Sequence, residues 1–220
     1  MPHTVFVTGA TGYIGQTFVR ALLARRYPVC GLVRPGAEAR LPYGAMPVIG
    51  NALDATTFAE RIPRRATLVH LVGTPHPSPA KAREFVRVDL ASIEATTAAA
   101  QQAEVEHLIY MSVAHPAPVM RAYVEVRQRG EALIERSGIP ATILRPWYVL
   151  GPGHRWPYVL LPFYALLRWI PVTRPGAERL ALVTLDDIVN ALVSAVEAGP
   201  PEGLRILDVP QIRAMGERAR

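Results

Sequence analysis

Residues 3–15 read HTVFVTGATGYIG, and this short stretch decides the fold. Residues 3–8 are an apolar and β-branched run with the length and composition of a buried strand. From Ile14 onward, apolar residues recur at helical spacing, at Phe18 and Leu22. Because three glycines join the two elements, the chain is expected to begin with a strand that turns sharply into an amphipathic helix.

The glycines of this turn follow the spacing G-x-x-G-x-x-G at Gly9, Gly12 and Gly15. The first permits the tight turn, a side chain on the second would block a pyrophosphate, and the third lets helix and strand pack closely. The first N–H groups of the helix then point at the anion. The loop therefore predicts a dinucleotide site, and its expected contacts are Gly9, Thr11, Gly12, Tyr13 and Ile14.

The rest of the chain alternates between strand and helix patterns. Strands are predicted at residues 28–33, 46–49, 67–72, 107–112 and 141–144. Helices are predicted over residues 80–103 and 120–137. The alternation predicts an α/β protein, and right-handed crossovers favour a Rossmann doubly wound parallel sheet with helices on both faces.

The chain is interpreted as two parts, a Rossmann core over residues 1–150 and a small C-terminal substrate or partner lobe within residues 151–220. The second part also holds the last helix and strand of the fold. Within it, residues 156–172 read WPYVLLPFYALLRWIPV. This segment is a packing element, a wall of an apolar substrate pocket, or a surface that rests on a membrane. Its prolines and Arg168 argue against a membrane-spanning helix.

The end of the chain returns to the alternating pattern. A strand is predicted at residues 181–184 and a last strand at residues 204–209. Between them, Thr184 is placed to cap a helix that Gly199 ends. Residues 211–220 are interpreted as a short basic tail.

Composition narrows the class of protein. Of the 220 residues, half are hydrophobic and 19% are charged, which is enough for a well-buried core. The formal charge is +6, but the basic residues are spread along the chain, which disfavours a nucleic-acid partner. No histidine pair has metal-ligand spacing, so no metal is expected. A single cysteine, Cys30, and the lack of a signal-peptide pattern favour a cytoplasmic protein, with attachment to a membrane surface as the alternative.

The end of the second predicted strand bears on the choice of cofactor. In NAD-binding proteins an acidic residue roughly 20 residues past the loop binds the ribose 2′-hydroxyl. Here residues 32–35 read LVRP, without an acid. The guanidinium of Arg34 instead suits the extra 2′-phosphate of NADP. NADP is therefore favoured, with NAD as the alternative.

The glycine loop, together with LVR at residues 32–34, resembles the atypical and extended short-chain dehydrogenase/reductase superfamily. The sequence is most similar to NmrA-like NAD(P)-binding proteins, and it is also similar to the nucleotide-binding accessory subunit of respiratory complex I. The segments GNALD at residues 50–54 and HLVGT at residues 70–74 match further family motifs. The resemblance implies that Asn51 and Ala52 lie against adenine, that Val72, Gly73 and Thr74 lie beside the ribose, and that Pro146 meets the nicotinamide.

The resemblance also implies a set of catalytic residues. Reductases of this superfamily use Ser, Tyr and Lys, with the last two spaced Y-x-x-x-K on one face of a helix. The lysine charge lowers the pKa of the tyrosine and helps it exchange a proton with the substrate. The matching residues here are Ser112, Tyr123 and Arg127. In the alternative interpretation, Tyr123 only packs and Arg127 forms an i,i+4 ion pair with Glu131.

The sequence therefore predicts an NAD(P)H-binding oxidoreductase that acts on a small apolar or quinone-like substrate. Two loop histidines, His115 and His154, are further candidates for the proton donor. The alternative function is a non-catalytic NADP(H)-binding sensor or accessory protein with a protein or membrane partner. It is favoured by Arg127, because arginine is planar and bulkier than the lysine that it replaces.

Overall fold

The structure, a computed structural model, describes residues 3–117, 119–150 and 180–218. Its central sheet consists of seven strands: β1 (Val5–Thr8), β2 (Val29–Val33), β3 (Met46–Ile49), β4 (Thr67–His70), β5 (His107–Met111), β6 (Ala141–Arg145) and β9 (Leu204–Asp208). Two short strands, β7 (Tyr148–Leu150) and β8 (Leu182–Thr184), pair in parallel as a second sheet.

The helices of the described residues connect these strands. They are α1 (Tyr13–Ala24), α2 (Ala82–Glu84), α3 (Ala91–Gln102), α4 (Arg121–Ser137), α5 (Leu185–Ala198) and α6 (Val209–Arg218). Between α2 and α3 the chain forms a π-helical stretch, Phe85–Leu90. These three pieces make one continuous helical segment, as the pattern of residues 80–103 predicts.

The order of strands in the central sheet is β3-β2-β1-β4-β5-β6-β9, and all neighbours are parallel. The chain moves outward from β1 to β3 on one side and from β4 to β9 on the other. Its direction therefore reverses between β1 and β4, and the loops that follow these two strands leave a crevice at the carboxyl edge of the sheet. The predicted Rossmann doubly wound α/β fold is confirmed.

Helices cover both faces of this sheet. On one face, α1 and α5 bury Phe18, Leu22 and Leu192. On the other face, α3 and α4 bury Ile93 and Ile134. Because both faces are occupied by the core, the carboxyl edge is the part of the sheet where loops can form a ligand site.

Several predicted strands are shorter than expected, and two of them end earlier at the carboxyl edge beside the site. The strand predicted at residues 67–72 ends at His70, because its neighbour β1 stops at Thr8 and turns away at Gly9. Residues 71–74 therefore form a loop rather than strand. The strand predicted at residues 107–112 likewise ends at Met111.

The last residues differ from the expected tail. Most of residues 211–220 belong to α6, which begins at Val209 and packs against α5. Gly216 makes this packing close, because a Cβ atom there would overlap the side chain of Asp187. Ile212 is fully buried in the same interface.

Residues 156–172 and His154 lie outside the described residues, so their interpretation stays a prediction. The elements on either side of the gap contact the Rossmann core: β7 follows β6, and α5 packs on α1. Within the described residues, no helix has the length and apolar character needed to cross a membrane.

Candidate active site

The glycine loop makes the tightest turn of the predicted dinucleotide site. Gly9 has φ +75°, and a Cβ atom there would lie 2.7 Å from the carbonyl carbon of Leu71. A Cβ atom on Gly15 would overlap the Gly9 carbonyl oxygen. A Cβ atom on Gly12 would meet only that oxygen, at 3.2 Å, so its other side is open. The first and third glycines thus serve packing, and the second leaves room for a ligand.

Helix α1 begins at this open side. Its N-cap residue is Gly12, which has no side chain to cap the helix, and its first turn contains no acidic residue. The first turn of α1 therefore places no carboxylate of its own against the positive end of the helix dipole. Such a helix start favours an anion such as a pyrophosphate.

Basic side chains line the rim of the glycine loop. Arg34 follows β2 directly and is exposed. Arg40 Nη2 donates to the Thr11 carbonyl oxygen at 3.2 Å, and Gln16 Nε2 donates to the same oxygen at 3.1 Å. Arg20 Nη2 in turn donates to Gln16 Oε1 at 3.1 Å. The loop is thus held by Arg40 and by Gln16, which Arg20 supports.

The end of β3 forms a turn of its own. The Asn51 backbone N–H donates to Thr57 Oγ1 at 2.9 Å, and Asn51 Oδ1 accepts from the Leu53 N–H at 3.1 Å. Asn51 is exposed, and Ala52 packs partly against the core. The Asn51 side chain therefore shapes this turn, while the predicted adenine contact stays a prediction.

The loop after β4 lies directly against the glycine loop. The Leu71 N–H donates to the Thr8 carbonyl oxygen at 3.0 Å, and Val72 is half-buried. Thr74 is buried, and its N–H and hydroxyl donate to Asp89 Oδ2 at 3.1 and 2.6 Å. The loop predicted to lie beside the ribose is thus anchored from beneath by one carboxylate.

Arg127 is buried, with 4% of its surface exposed. Its Nη2 atom donates to Asp89 Oδ1 at 2.6 Å, and its Nη1 atom donates to the Met111 carbonyl oxygen at 2.9 Å. Burial lowers the pKa of the guanidinium, but the neighbouring Tyr123, Tyr110 and Asp89 more than offset this and leave its pKa above the ordinary value. Arg127 therefore remains charged and pairs with Asp89. The alternative interpretation, in which Arg127 forms an ion pair with Glu131, is wrong, because Glu131 pairs with Arg145.

Tyr123 is the second residue of the predicted catalytic set, and its ring lies next to Arg127. The guanidinium carbon is 5.1 Å from the ring centroid, a cation–π contact. On another side, the Phe85 ring packs against Tyr123 with centroids 4.9 Å apart. The structure thus brings Tyr123 and Arg127 together on α4 and fixes the tyrosine ring between two neighbours.

Ser112, the third predicted residue, belongs to a different cluster. Its hydroxyl donates to Glu131 Oε1 at 2.5 Å. The same carboxylate accepts two hydrogen bonds from Arg145, and His115 Nε2 lies 3.3 Å from both of its oxygens. Gln128 Nε2 is 3.3 Å from His115 Nδ1. Ser112 and His115 are therefore gathered around Glu131, one helical turn beyond Arg127.

Pro146 closes the site on the β6 side. It is buried, and its carbonyl oxygen accepts from the Ala114 N–H at 2.8 Å. This bond joins the segments that follow β5 and β6 at the carboxyl edge of the sheet. The predicted contact of Pro146 with the nicotinamide stays a prediction.

Comparison with known proteins is consistent with this geometry. Residues 9–157 match the family described as NAD(P)H-binding. The chain belongs to this family. Its doubly wound parallel sheet is the Rossmann fold of NAD-binding proteins.

The relatives of this NAD(P)H-binding protein include two named reductases. A 4-hydroxy-2-methyl-3-oxo-4-farnesyl-3,4-dihydroquinoline-1-oxide ketoreductase of Stigmatella aurantiaca is 26% identical over 168 residues, which cover 66% of this chain and 50% of the relative. The ceramide reductase of Caulobacter vibrioides is 27% identical over 203 residues, which cover 86% of this chain and 60% of the relative. The chain thus spans only half to three-fifths of the length of these two relatives.

Solved structures share the fold of the NAD(P)H-binding protein at low identity. The Bordetella bronchiseptica enzyme WbmH in complex with NAD+ aligns with a TM-score of 0.68 and 21% identity, covering 98% of this chain and 79% of that one. UDP-glucuronic acid 4-epimerase from Bacillus cereus in complex with NAD aligns with a TM-score of 0.66 and 19% identity, covering 93% of this chain and 77% of that one. These similarities show the fold.

Sequence reasoning did not predict the contacts that three residues of the site make. Arg40 reaches Thr11 across 29 residues of chain, and no local pattern signals that return. Asp89 lies in a helical stretch where a carboxylate ordinarily faces solvent, yet it is fully buried. Arg145 stands in the Arg-Pro motif, but nothing in the sequence shows that it pairs with Glu131.

Proposed function

We propose that the protein is an NADP(H)-dependent oxidoreductase that acts on a small apolar or quinone-like substrate. The observation that carries the proposal is the glycine loop, which leaves Gly12 open in front of an uncapped helix start. A pyrophosphate fits there because the helix dipole and the backbone N–H groups both favour negative charge. Membership of the NAD(P)H-binding family supports the same ligand class.

The preference for NADP over NAD is supported by the charge around the loop. Arg34 stands at the end of β2, where NAD-binding proteins carry an acid for the ribose 2′-hydroxyl. Arg40, tied to the Thr11 carbonyl oxygen, is a second cation at the same rim. A guanidinium can donate two parallel hydrogen bonds to a phosphate, which suits the 2′-phosphate that NAD lacks.

When bound, the reduced nicotinamide supplies a hydride to an electrophilic carbon of the substrate. Tyr123 is proposed to donate the proton that the reduced oxygen then requires, since a phenol is a recognised general acid in such sites. Arg127 holds the Tyr123 side chain in position through a cation–π contact with its ring. Ser112 is proposed to orient the substrate oxygen with its hydroxyl, which in the structure is donated to Glu131.

The substrate class is inferred from the relatives and from the chain itself. The relatives include reductases named for a farnesylated quinoline oxide and for ceramide, both of which contain long apolar portions. In this chain, the apolar residues 156–172 follow the strand that ends beside the site. An apolar pocket wall in that segment would suit a substrate with one polar reacting group.

Calorimetric titration of the purified protein with NADPH and with NADH tests cofactor binding. We expect NADPH to bind more tightly, and Arg34→Ala to weaken NADPH binding about tenfold, since a hydrogen bond to a charged group contributes roughly 1.5–3 kcal/mol. NADH binding should hardly change. Arg64→Ala is the matched control, because Arg64 is an exposed arginine that precedes β4 and pairs with Glu104. Failure of the wild-type protein to bind either nucleotide would contradict the proposed function.

Turnover is tested by following NADPH oxidation with a quinone and with a long-chain ketone as substrates. Tyr123→Phe should lower kcat by about a hundredfold or more, the contribution typical of a general acid. Tyr27→Phe is the control, since Tyr27 lies near His3 at the amino edge of the sheet. Full activity of Tyr123→Phe would exclude the phenol as proton donor and direct attention to His115.

A second function is favoured by one observation, the pairing of Arg127 with Asp89. The charge at the position of the catalytic lysine is then paired with a carboxylate. Such an arrangement would suit a protein that binds NADP(H) without turnover and that regulates or stabilises a partner. Tight NADPH binding without oxidation of any tested carbonyl or quinone would favour this function. Flotation with anionic liposomes at physiological salt tests whether the partner is a membrane surface.

A further inference from the structure

Asp89 links three parts of the candidate site through one carboxylate. Its Oδ2 atom accepts from the N–H and the hydroxyl of Thr74, and its Oδ1 atom accepts from Arg127. The residue is fully buried, so each of these bonds forms in a medium that strengthens it. A buried carboxylate that accepts from three donors holds those donors in fixed positions.

The π-helical stretch Phe85–Leu90 places Asp89 in this position. Such π-helical stretches are frequent at functional sites. Its first residue, Phe85, packs on the Tyr123 ring, and Asp89 binds the Arg127 side chain under the same ring. One stretch of chain therefore fixes both residues of α4 that the proposed reaction uses.

The loop that Asp89 holds is also in contact with the glycine loop. A Cβ atom on Gly9 would lie 3.0 Å from the Val72 nitrogen, so the two loops have no room to shift past each other. At Gly73, a Cβ atom would lie 2.5 Å from Arg127 Nη2, so the loop rests on the ion pair itself. A displacement of Asp89 would therefore move the loop that lies against the glycine loop.

The guanidinium of Arg127 is engaged inside the protein. Its pKa lies above the ordinary value for a guanidinium, against the effect of burial, because Tyr123, Tyr110 and Asp89 surround it. Its two terminal nitrogens are engaged with Asp89 and with the Met111 carbonyl oxygen. Its charge therefore serves the internal network.

We propose that Asp89 is a positioning residue: through Thr74 it fixes the loop that walls the cofactor ribose, and through Arg127 it fixes the ring of Tyr123. The proposal rests on the proposed function, since it concerns how the same crevice holds its dinucleotide.

The arm through Thr74 and the arm through Arg127 are tested with different variants. Thr74→Val removes the hydroxyl bond to Asp89 but leaves the ion pair intact, and it should weaken NADPH binding about fivefold, since a hydrogen bond contributes roughly 1 kcal/mol. Thr142→Val is the matched control. It also removes one buried hydroxyl bond, 2.9 Å to His107, but at the amino edge of the sheet. We expect the control to lower the melting temperature by a similar amount and to leave the Kd for NADPH unchanged.

The charge pair of Asp89 and Arg127 is tested with two variants. One is Asp89→Asn, and the other combines Asp89→Asn with Arg127→Met. The single variant leaves the buried guanidinium unpaired and should weaken NADPH binding at least tenfold. In the double variant both charges are removed, while the amide oxygen can still accept from Thr74. We therefore expect it to recover most of the NADPH affinity but not the kcat, because the Tyr123 ring has lost its cation.

Calorimetry with NADPH and steady-state kinetics on each variant decide the outcome. If the wild-type protein binds NADPH, and Thr74→Val and Thr142→Val bind it with equal affinity, the positioning role is overturned and the proposed function stands. Equal NADPH affinities of Asp89→Asn and of the double variant would overturn the arm through Arg127. If the wild-type protein binds no dinucleotide, the proposed function is overturned as well. The wild-type titration therefore separates failure of the positioning role from failure of the proposed function.

Discussion

Glu131 on α4 and Arg145 on β6 form an ion pair with two hydrogen bonds, Nε to Oε1 at 3.1 Å and Nη2 to Oε2 at 2.5 Å. Their side chains are only 10% and 17% exposed. The carboxylate also accepts from Ser112 at the end of β5. One side chain of α4 therefore joins the helix to the ends of two adjacent strands, next to the proposed reaction centre.

Glu131→Gln is expected to lower the free energy of unfolding by about 3 kcal/mol, because a largely buried guanidinium loses its counter-charge. Urea unfolding measures the change. Glu104→Gln is the control, since Glu104 pairs with Arg64 at the surface and its loss should cost less than about 1 kcal/mol. Equal effects of the two variants would show that the Glu131 pair contributes no more than a surface pair.

The glycine loop and the succession of strands and helices along the chain could be predicted because both depend on local patterns. Gly9, Gly12 and Gly15 constrain a turn of seven residues, and the apolar runs that become strands recur between helical segments. Strand ends were less predictable. The end of β4 at His70 depends on where its neighbour β1 turns away, which only the paired structure shows.

The charge partners on α4 could not be predicted. Spacing favours a bond between Arg127 and Glu131, but Arg127 binds Asp89, which lies 38 residues earlier, and Glu131 binds Arg145. The gain from a helical i,i+4 pair is a few tenths of a kcal/mol, whereas a buried charge without a partner costs several kcal/mol. Tertiary burial therefore decides which partners form, and burial depends on the packing of distant segments.

The second and third glycines of the loop should respond differently to the same substitution. Gly15→Ala places a methyl group on the Gly9 carbonyl oxygen and should lower the melting temperature markedly. Gly12→Ala meets that oxygen only at 3.2 Å and should leave the fold intact, while its methyl group blocks the pyrophosphate and weakens NADPH binding. Calorimetry provides both quantities. Retained NADPH affinity in Gly12→Ala would show that the pyrophosphate lies elsewhere.

Stability should decrease in mild acid because of two buried histidines. Burial, and then the charge of Arg127, lower the pKa of His70 from 6.5 to about 3. Burial, with Arg205 and His3, lowers the pKa of His107 to about 4. Between these values and 6.5 the unfolded chain binds more protons than the folded protein, so the free energy of unfolding falls as the pH falls, by up to roughly 1.4 kcal/mol per pH unit for each histidine.

His70→Gln tests this origin, since it removes one of the two groups. Its free energy of unfolding should fall less steeply between pH 6.5 and pH 4 than that of the wild-type protein. Thr96→Val is the control: it removes a hydroxyl 2.9 Å from His70 Nδ1 but leaves the imidazole in place, so the steep decrease should remain. Identical slopes in His70→Gln and the wild-type protein would assign the acid sensitivity to other groups.

Ionic strength should affect the binding of NADPH more than that of NADH. The rim arginines Arg34 and Arg40 are exposed, so their attraction for a 2′-phosphate is screened over a Debye length of about 10 Å at 0.1 M salt. The Kd for NADPH is therefore expected to rise with added salt, and the Kd for NADH to rise less. Arg40→Ala should reduce the difference, since it removes one cation held at Thr11. Parallel salt dependences for the two nucleotides in the wild-type protein would mean that neither arginine contacts the 2′-phosphate, and the protein would then not discriminate NADP from NAD at this rim.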